Sequence, residues 1–412
     1  MVLNKKAKFR SLFIIFMLLC ILTTYCVTVE NYQSDFSTLE EIKIIMKEYF
    51  YDQSKLPAFF ARLENIKNNF NNNWIYDLKH LLNELNVSHL GFYMPDELEY
   101  YEQMDIYKFG HEDKHKRLFP PDGIIRYPGI GIVPRLINGR YFVDMIYANT
   151  PAYGIDILPG DELLTVDGQS YNPINSFRNK IGQKVTLAIR REPDGSPLEC
   201  EAIVEYLNPT ETFISSTSAS VRIIEHYGSR IGYIRLISFT DAQVGQILNN
   251  TLSGTDFASV DALILDIRGR WGGAPLDAAE IFVGGTPNVA MVMPTGTVFQ
   301  ANFRWTKPMV AIIGHETRSG LEILAYSLKK AGIPLVGSNT RGAIIGGRAF
   351  ILEDNSFFLI PVAEITVDGQ RLEGIGVAPT FPVDFVLEYS QGYDPQLELA
   401  INKTIEIINI NG

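Results

Sequence analysis

The stretch Ala262-Leu263-Ile264-Leu265-Asp266-Ile267-Arg268-Gly269-Arg270-Trp271-Gly272-Gly273 decides the architecture of the chain. A short apolar run that meets an acid and opens into a glycine-rich turn reads as a buried strand with a loop at its carboxyl end. Working outward, further apolar strands are expected at Ile231 to Leu236, Met309 to Ile313 and Leu335 to Gly337. Between them lie helical stretches: Ala242 to Leu252, Leu276 to Val283 and Leu321 to Ala331. Strands alternating with helices imply βαβ units and a largely parallel sheet. Catalytic and binding groups in such sheets collect at the carboxyl ends of the strands.

Upstream, from Gly123 to about residue 207, the apolar period is two. Tyr141 to Ile146, Glu162 to Val166 and Val185 to Arg190 alternate or are β-branched, and turn signals separate them (Asn138-Gly139, Pro159-Gly160-Asp161, Asp167-Gly168). A compact β module is expected there. Residues 107–122 carry six Lys, Arg or His side chains and end on Pro120-Pro121, the composition of a linker. Residues 30–106 show apolar side chains three and four apart (Leu39, Ile42, Ile45, Met46, then Trp74, Leu78, Leu81, Leu82), which predicts a helical domain. Residues 208–412 form the α/β core.

The first 29 residues are a targeting segment. Lys5, Lys6, Lys8 and Arg10 precede an uncharged run from Ser11 to about Val29, the pattern of a secretory signal. The chain is therefore expected to be exported to the periplasm or the outside, with an uncleaved membrane anchor as the alternative to a cleaved signal. At 412 residues and 46% hydrophobic content it is large enough for two or three domains. A net charge of −11 with no basic stripe beyond the first ten residues excludes a nucleic-acid binder. Two of the three cysteines lie in the signal, so its cleavage would leave Cys200 without a disulfide partner, and no Cys/His cluster has metal-ligand spacing. Neither metal nor cofactor is expected; self-association is left open.

Three blocks together resemble the tail-specific (C-terminal processing) serine peptidase family, in the branch of the tricorn core and the retinoid-binding-protein modules. Gly129-Ile130-Gly131-Ile132, then Ala148-Asn149-Thr150-Pro151-Ala152 and Leu158 to Gly168, are similar to the PDZ domain of these proteases. Ile231 to Leu236 and Leu263 to Gly273 resemble the strand ending in Asp-x-Arg-x-Asn-x-Gly-Gly, with Arg270 where the family often has Asn. Thr317-Arg318-Ser319-Gly320-Leu321-Glu322, then Thr340-Arg341-Gly342 and Glu373-Gly374-Ile375-Gly376-Val377, complete the set. The resemblance implies an α/β multidomain fold: a helical N-terminal domain, a PDZ-like β module and a crotonase-like or ClpP-like protease core.

Ser319 matches the family's nucleophile. Independently of that, a strand running through a polar turn into a helix would hold its hydroxyl at an elbow beside unpaired amides. A serine needs a base. Where better-known relatives supply Lys, this chain has Ala343, so Lys329 and Lys330 would have to reach back along about 15 Å of helix. Ser88-His89 instead resembles the tricorn-type catalytic pair. The resemblance then implies that Ser319 attacks, His89 moves the proton, Ser88 and Glu373 orient the site, and amides of Gly320 and Gly272 or Gly273 hold the oxyanion. His89 and Ser319 are expected within about 4 Å, and activity is expected to rise through a pKa near 6.5. Gly129, Ile130, Gly131 and Ile132 would receive the carboxyl end of a protein or peptide substrate, with Arg126 and Arg135 nearby. Two other readings use the same scaffold: a non-catalytic ligand- or peptide-binding protein, and a hydrolase of small esters.

Overall fold

The computed structural model describes residues 37–69, 73–284, 289–292, 298–301 and 304–411. The expected targeting segment, residues 1–29, lies outside them, and among the described residues no helix is long and apolar enough to cross a membrane. Two compact units are present: described residues within 37–86, 90–92 and 348–362 make the smaller, and described residues within 87–89, 93–347 and 363–411 the larger.

In the smaller unit, helices at 37–49, Leu56–Asn68 and Trp74–Glu84 follow the expected periodicity. They bury the side chains that the spacing singled out, among them Leu39, Ile42, Met46, Leu63, Trp74 and Leu78. The unit also takes in 348–362, a contribution from far along the chain that no local pattern signals.

In the larger unit, the core sheet runs Arg222–His226, Ser229–Arg235, Ala262–Asp266, Met309–Ile313, Leu335–Gly337, Phe381–Pro382. The first two strands form an antiparallel hairpin and every later pairing is parallel. The strands read as unbroken apolar runs because both faces are covered. Leu263 and Leu265 face Leu321, Leu324 and Leu328 of the helix Gly320–Lys330. Ile264 points the other way, with Val310 and Ile312, toward the C-terminal helix Pro395–Asn411.

The β module is antiparallel throughout, with strands Ile132–Ile137, Arg140–Ile146, Glu162–Val166, Lys184–Arg190 and Leu198–Ile203. Its two tightest hairpins turn on Asn138-Gly139 and Asp167-Gly168, whose left-handed φ values match the strand twist. Cys200 is a half-buried strand residue opposite Leu187, with its thiol on the Asp156 carbonyl.

Four segments depart from the sequence pattern. Inside the stretch read as linker, Glu112–Leu118 is helical, with Glu112 and Asp113 in its first turn and Lys116 and Arg117 in its last, each favourable to the helix dipole. Pro209–Ser220 is a helix despite its Ser/Thr content; Asn208 caps it, Pro209 opens it and Phe213 is buried. The Leu276 to Val283 helix shrinks to Glu280–Val283, since the chain leaves Pro275 in a turn. The C-terminal helix was not anticipated, although Leu397, Ala400, Ile401, Thr404 and Ile405 carry helical spacing.

Asp266, at the carboxyl end of its strand, is fully buried and anchors the architecture behind the site. Its carboxylate accepts from the Tyr233 hydroxyl (2.8 Å), the Arg268 amide (3.0 Å) and the Arg268 guanidinium (3.0 and 2.7 Å). The same guanidinium reaches both oxygens of Asp394 (3.0 and 2.7 Å) and Gln396 (3.0 Å), which joins the strand end to the start of the C-terminal helix. Burial alone would raise the Asp266 pKa; Arg268, then Arg235, bring it down to about 2. A carboxyl depressed in the folded state stabilises it above its ordinary value of 3.8, and that contribution disappears as pH falls toward 2. Arg268→Ala leaves the Asp266 charge buried and unpaired and is expected to cost about 3–5 kcal/mol. Thermal unfolding at pH 7 should show a drop of several degrees, and the difference from wild type should narrow in acid; an unchanged midpoint would contradict this role.

Candidate active site

The strand Met309–Ile313 leads through Gly314 to Arg318 into the helix Gly320–Lys330, with Ser319 at the junction. Ser319 has φ 55° and ψ −132°, a region that non-glycine residues rarely enter. Strain at such a strand-to-helix turn is the geometry in which a hydroxyl is pushed outward. Three contacts maintain it. The Thr317 hydroxyl donates to the Ile267 carbonyl (2.9 Å) and accepts from the Gly314 amide (3.1 Å), tying the turn to the loop after Ala262–Asp266. The Ser319 amide donates to Ala343 O (3.0 Å) and to the Glu322 carboxylate (3.1 Å). Finally, the glycine loop is pressed onto the elbow: a Cβ on Gly272 would lie 2.4 Å from the Arg318 carbonyl oxygen and 2.7 Å from the Ser319 Cβ.

Because the Ser319 amide is engaged, it is not free to hold an oxyanion. The amides of Gly320, Gly272 and Gly273 donate to no partner among the described residues. Gly320 packs on the same loop, where its Cβ would meet the Ala274 backbone at 2.6 Å. Arg270 binds Glu102 (2.6 Å) and Glu99 (3.2 Å).

Glu322, buried at the first turn of the helix, accepts from Thr340 Oγ1 (2.6 Å) and from the amides of Gly342 (2.7 Å) and Ala343 (2.7 Å) as well as from Ser319. Burial pushes its pKa up, while the Thr340 hydroxyl and the three amides favour the anion. The sequence reading gave Glu322 no role; its position three residues after Ser319, the capping-box spacing, was the available signal.

Ser88, His89 and Glu373 come together from opposite ends of the sequence. Glu373, 4% exposed, accepts from the Ser88 amide (2.8 Å), the Ser88 hydroxyl (2.9 Å) and the Ile344 amide (2.8 Å). Ser88 Oγ also lies 3.0 Å from His89 Nδ1. With its proton given to Glu373, the hydroxyl can only accept from Nδ1, so Nδ1 carries the ring proton and Nε2 is a bare acceptor. His89 is buried, with φ 53°, and packs against Gly347 so closely that a Cβ there would lie 3.2 Å from its Cδ2. Burial first, then the positive charge of Arg318, lowers its pKa to about 3. This corrects the expectation of a value near 6.5: the imidazole is neutral across the physiological range.

One short segment connects the two halves. Ala343 receives the Ser319 amide, Ile344 donates to Glu373, and Gly347 abuts His89. Among the described residues no hydrogen bond joins the Ser319 hydroxyl to the His89 ring in this structure. Gly129 ends a short strand, Tyr127–Gly129, paired with Glu205–Leu207; Gly131 has φ 91° and sits against Thr150, where a Cβ would clash at 2.0 Å, and Ile132 opens the next strand. Arg126 pairs with Asp122, and Arg135 with Asp144 and Glu316. Lys329 binds the Ala378 carbonyl and Lys330 pairs with Asp368, so neither reaches toward Ser319. His315 contacts Arg341, and His80 pairs with Glu84. The described residues contain no group of His, Cys, Asp and Glu able to hold a metal ion.

Comparison with known proteins bears on the family and the fold. Residues 230–383 match the model of peptidase family S41. The carboxy-terminal processing protease CtpA of Bacillus subtilis (strain 168) is 26% identical over 272 residues, 61% of this chain and 55% of that protein, and CtpB of the same organism is 22% identical over 62% and 55%. The chain thus spans about half the length of the curated relatives it matches. Among solved structures, the photosystem II D1 C-terminal processing protease superimposes with a TM-score of 0.50 at 16% identity, covering 88% of this chain and 98% of that one. The tricorn protease gives 0.51 at 18% identity over 92% and 37%. These likenesses establish the multidomain α/β fold. By its homology to the two processing proteases and by the match over residues 230–383, the protein is a relative of the family S41 peptidases, a family of serine hydrolases.

Proposed function

We propose that the protein is a serine peptidase that cleaves protein or peptide substrates near their carboxyl ends, with Ser319 as nucleophile and His89 as base. The observation that carries this reading is the chain of contacts from Glu373 through Ser88 to His89, which leaves a neutral Nε2 as acceptor. Substrate binding brings Nε2 into hydrogen-bond reach of the Ser319 hydroxyl, as catalytic contacts tighten in the bound complex. Ser319 Oγ then forms a bond to the scissile carbonyl carbon as its proton passes to Nε2. Ser88 and Glu373 stabilise the imidazolium, and the amides of Gly320 and of Gly272 or Gly273 receive the oxyanion. Breakdown transfers the proton to the leaving amine, and water repeats the sequence to free the acyl group.

The same proposal assigns the β module to substrate docking. The backbone of Gly129 to Ile132 would take a chain end while the peptide extends the sheet edge. Export is proposed from the basic and apolar composition of residues 1–29.

Steady-state turnover of an internally quenched peptide tests the assignment. Ser319→Ala is expected to abolish cleavage, and His89→Ala to lower kcat/KM by about a hundredfold or more. Lys329→Ala combined with Lys330→Ala should leave turnover near wild type. The reverse pattern, a large loss in the lysine double variant with normal turnover in His89→Ala, would overturn the mechanism. Because only neutral imidazole accepts the proton, a pKa lowered to about 3 moves the acid limb below pH 6.5. Activity should therefore persist at pH 5.5, where an unshifted imidazole would be about nine-tenths protonated. A limb centred near 6.5 would show that the ring is not held neutral as described.

A further inference from the structure

Arg318 stands directly before the nucleophile, half-buried, and has no carboxylate partner. Among the described residues it forms no ion pair, in contrast to Arg135, Arg268 and Arg270 around it. Its guanidinium carbon lies 4.9 Å from the centre of the Trp271 ring. That ring is a fixed platform, since Trp271 Nε1 donates to the buried Glu102 carboxylate (2.9 Å). The charge is felt at His89, Tyr93 and Tyr107.

No carboxylate pairs with it, although Glu316 favours its charge from a distance. Burial, the largest effect, pushes the pKa of both phenols up to about 12, so they are neutral at pH 7. Glu316 is engaged by Arg135 at 2.7 Å, and Arg341 adds a further positive charge. The residue also sits at the amino end of the helix Gly320–Lys330, where the dipole disfavours a cation. Burial and the helix therefore both act against an arginine here, and a partly buried cation without a paired carboxylate is unfavourable. The free amides of the glycine loop add to the surplus of positive potential.

Resting on the peptidase reading, we infer that Arg318 is a specificity-determining residue that pairs with a carboxylate of the bound substrate beside the scissile bond. The planar fork of a guanidinium suits a carboxylate in two parallel hydrogen bonds, with Trp271 holding its face. Two sources supply that chemistry: the terminal carboxylate of a short departing peptide, or an Asp or Glu side chain flanking the cleaved bond.

The test uses the full chain, as wild type, Arg318→Gln and Arg318→Lys, with one internally quenched peptide in several forms. The forms are a free carboxyl end, its amide, and Glu or Gln at each position flanking the scissile bond. Wild type is expected to prefer one acid form over its neutral counterpart by about tenfold to a hundredfold, expressed mainly in KM, as for a charge-assisted contact. Preference for the free end over its amide identifies the terminal carboxylate; preference for Glu over Gln identifies the side chain. Arg318→Gln should collapse the preference, while Arg318→Lys keeps part of it. Thermal unfolding of Arg318→Gln should be no lower than wild type, which separates recognition from a structural role. The inference is overturned if wild type cleaves the peptides without acid preference, if the preference survives in Arg318→Gln, or if that variant loses acid and neutral substrates equally through kcat. Calorimetric binding of the same peptides to Ser319→Ala separates this from the peptidase reading. Arg318-dependent tighter binding of the acid form, in a protein whose wild type cleaves nothing, would keep the inference and remove the proposed activity, whereas equal binding of acid and neutral forms would remove the inference alone.

Discussion

The buried carboxylate of Glu322 is the constraint on which the rest of the site depends. From one turn into its helix it holds the Ser319 amide on one side and Thr340, Gly342 and Ala343 on the other. Four donors converge on a group without solvent, so no single one can leave cheaply, because an unpaired buried acceptor is costly. The strained backbone at Ser319 persists for that reason. The same contacts fix the start of the segment Ala343 to Gly347, which reaches Glu373 and then His89. One acidic side chain thus sets the separation between the elbow and the histidine, although it touches neither the hydroxyl nor the ring.

Around this centre the protein places its other buried charges so that each loop at the carboxyl ends of the strands is fastened to a different element. Asp266 and Arg268 join the strand end to the C-terminal helix through Asp394 and Gln396. Arg270 and Trp271 secure the glycine loop to Glu102, which also accepts from Tyr147 of the β module's neighbourhood at 2.7 Å. Arg318 is the exception in this pattern of matched charges, and it stands next to Ser319.

Much of the core was legible because burial on both faces leaves a plain signal. Ala262 to Leu265 and Met309 to Ile313 are unbroken apolar runs, and the structure places them as adjacent parallel strands. Asn138-Gly139 and Asp167-Gly168 were readable as turns because few dipeptides tolerate two left-handed residues. The strand-turn-helix order placed Ser319 at the start of a helix, and only the resemblance singled out its hydroxyl. The environment of His89 could not, since its lowered pKa arises from burial and from Arg318, more than two hundred residues away. Glu322 hid behind an ordinary capping position. The helix Pro209–Ser220 was obscured by polar residues whose weak helix propensity is overridden by its cap and by Phe213.

The central claim is that the hydroxyl of Ser319 is activated in this setting and not simply a helix cap. Peptide mapping of the purified chain after reaction with a fluorophosphonate, read by mass spectrometry, addresses it directly. A single stoichiometric adduct on Ser319, much reduced in Glu322→Gln that remains folded, is the expected result. An adduct on another residue, or none on Ser319 in a preparation that still cleaves peptides, would contradict the account.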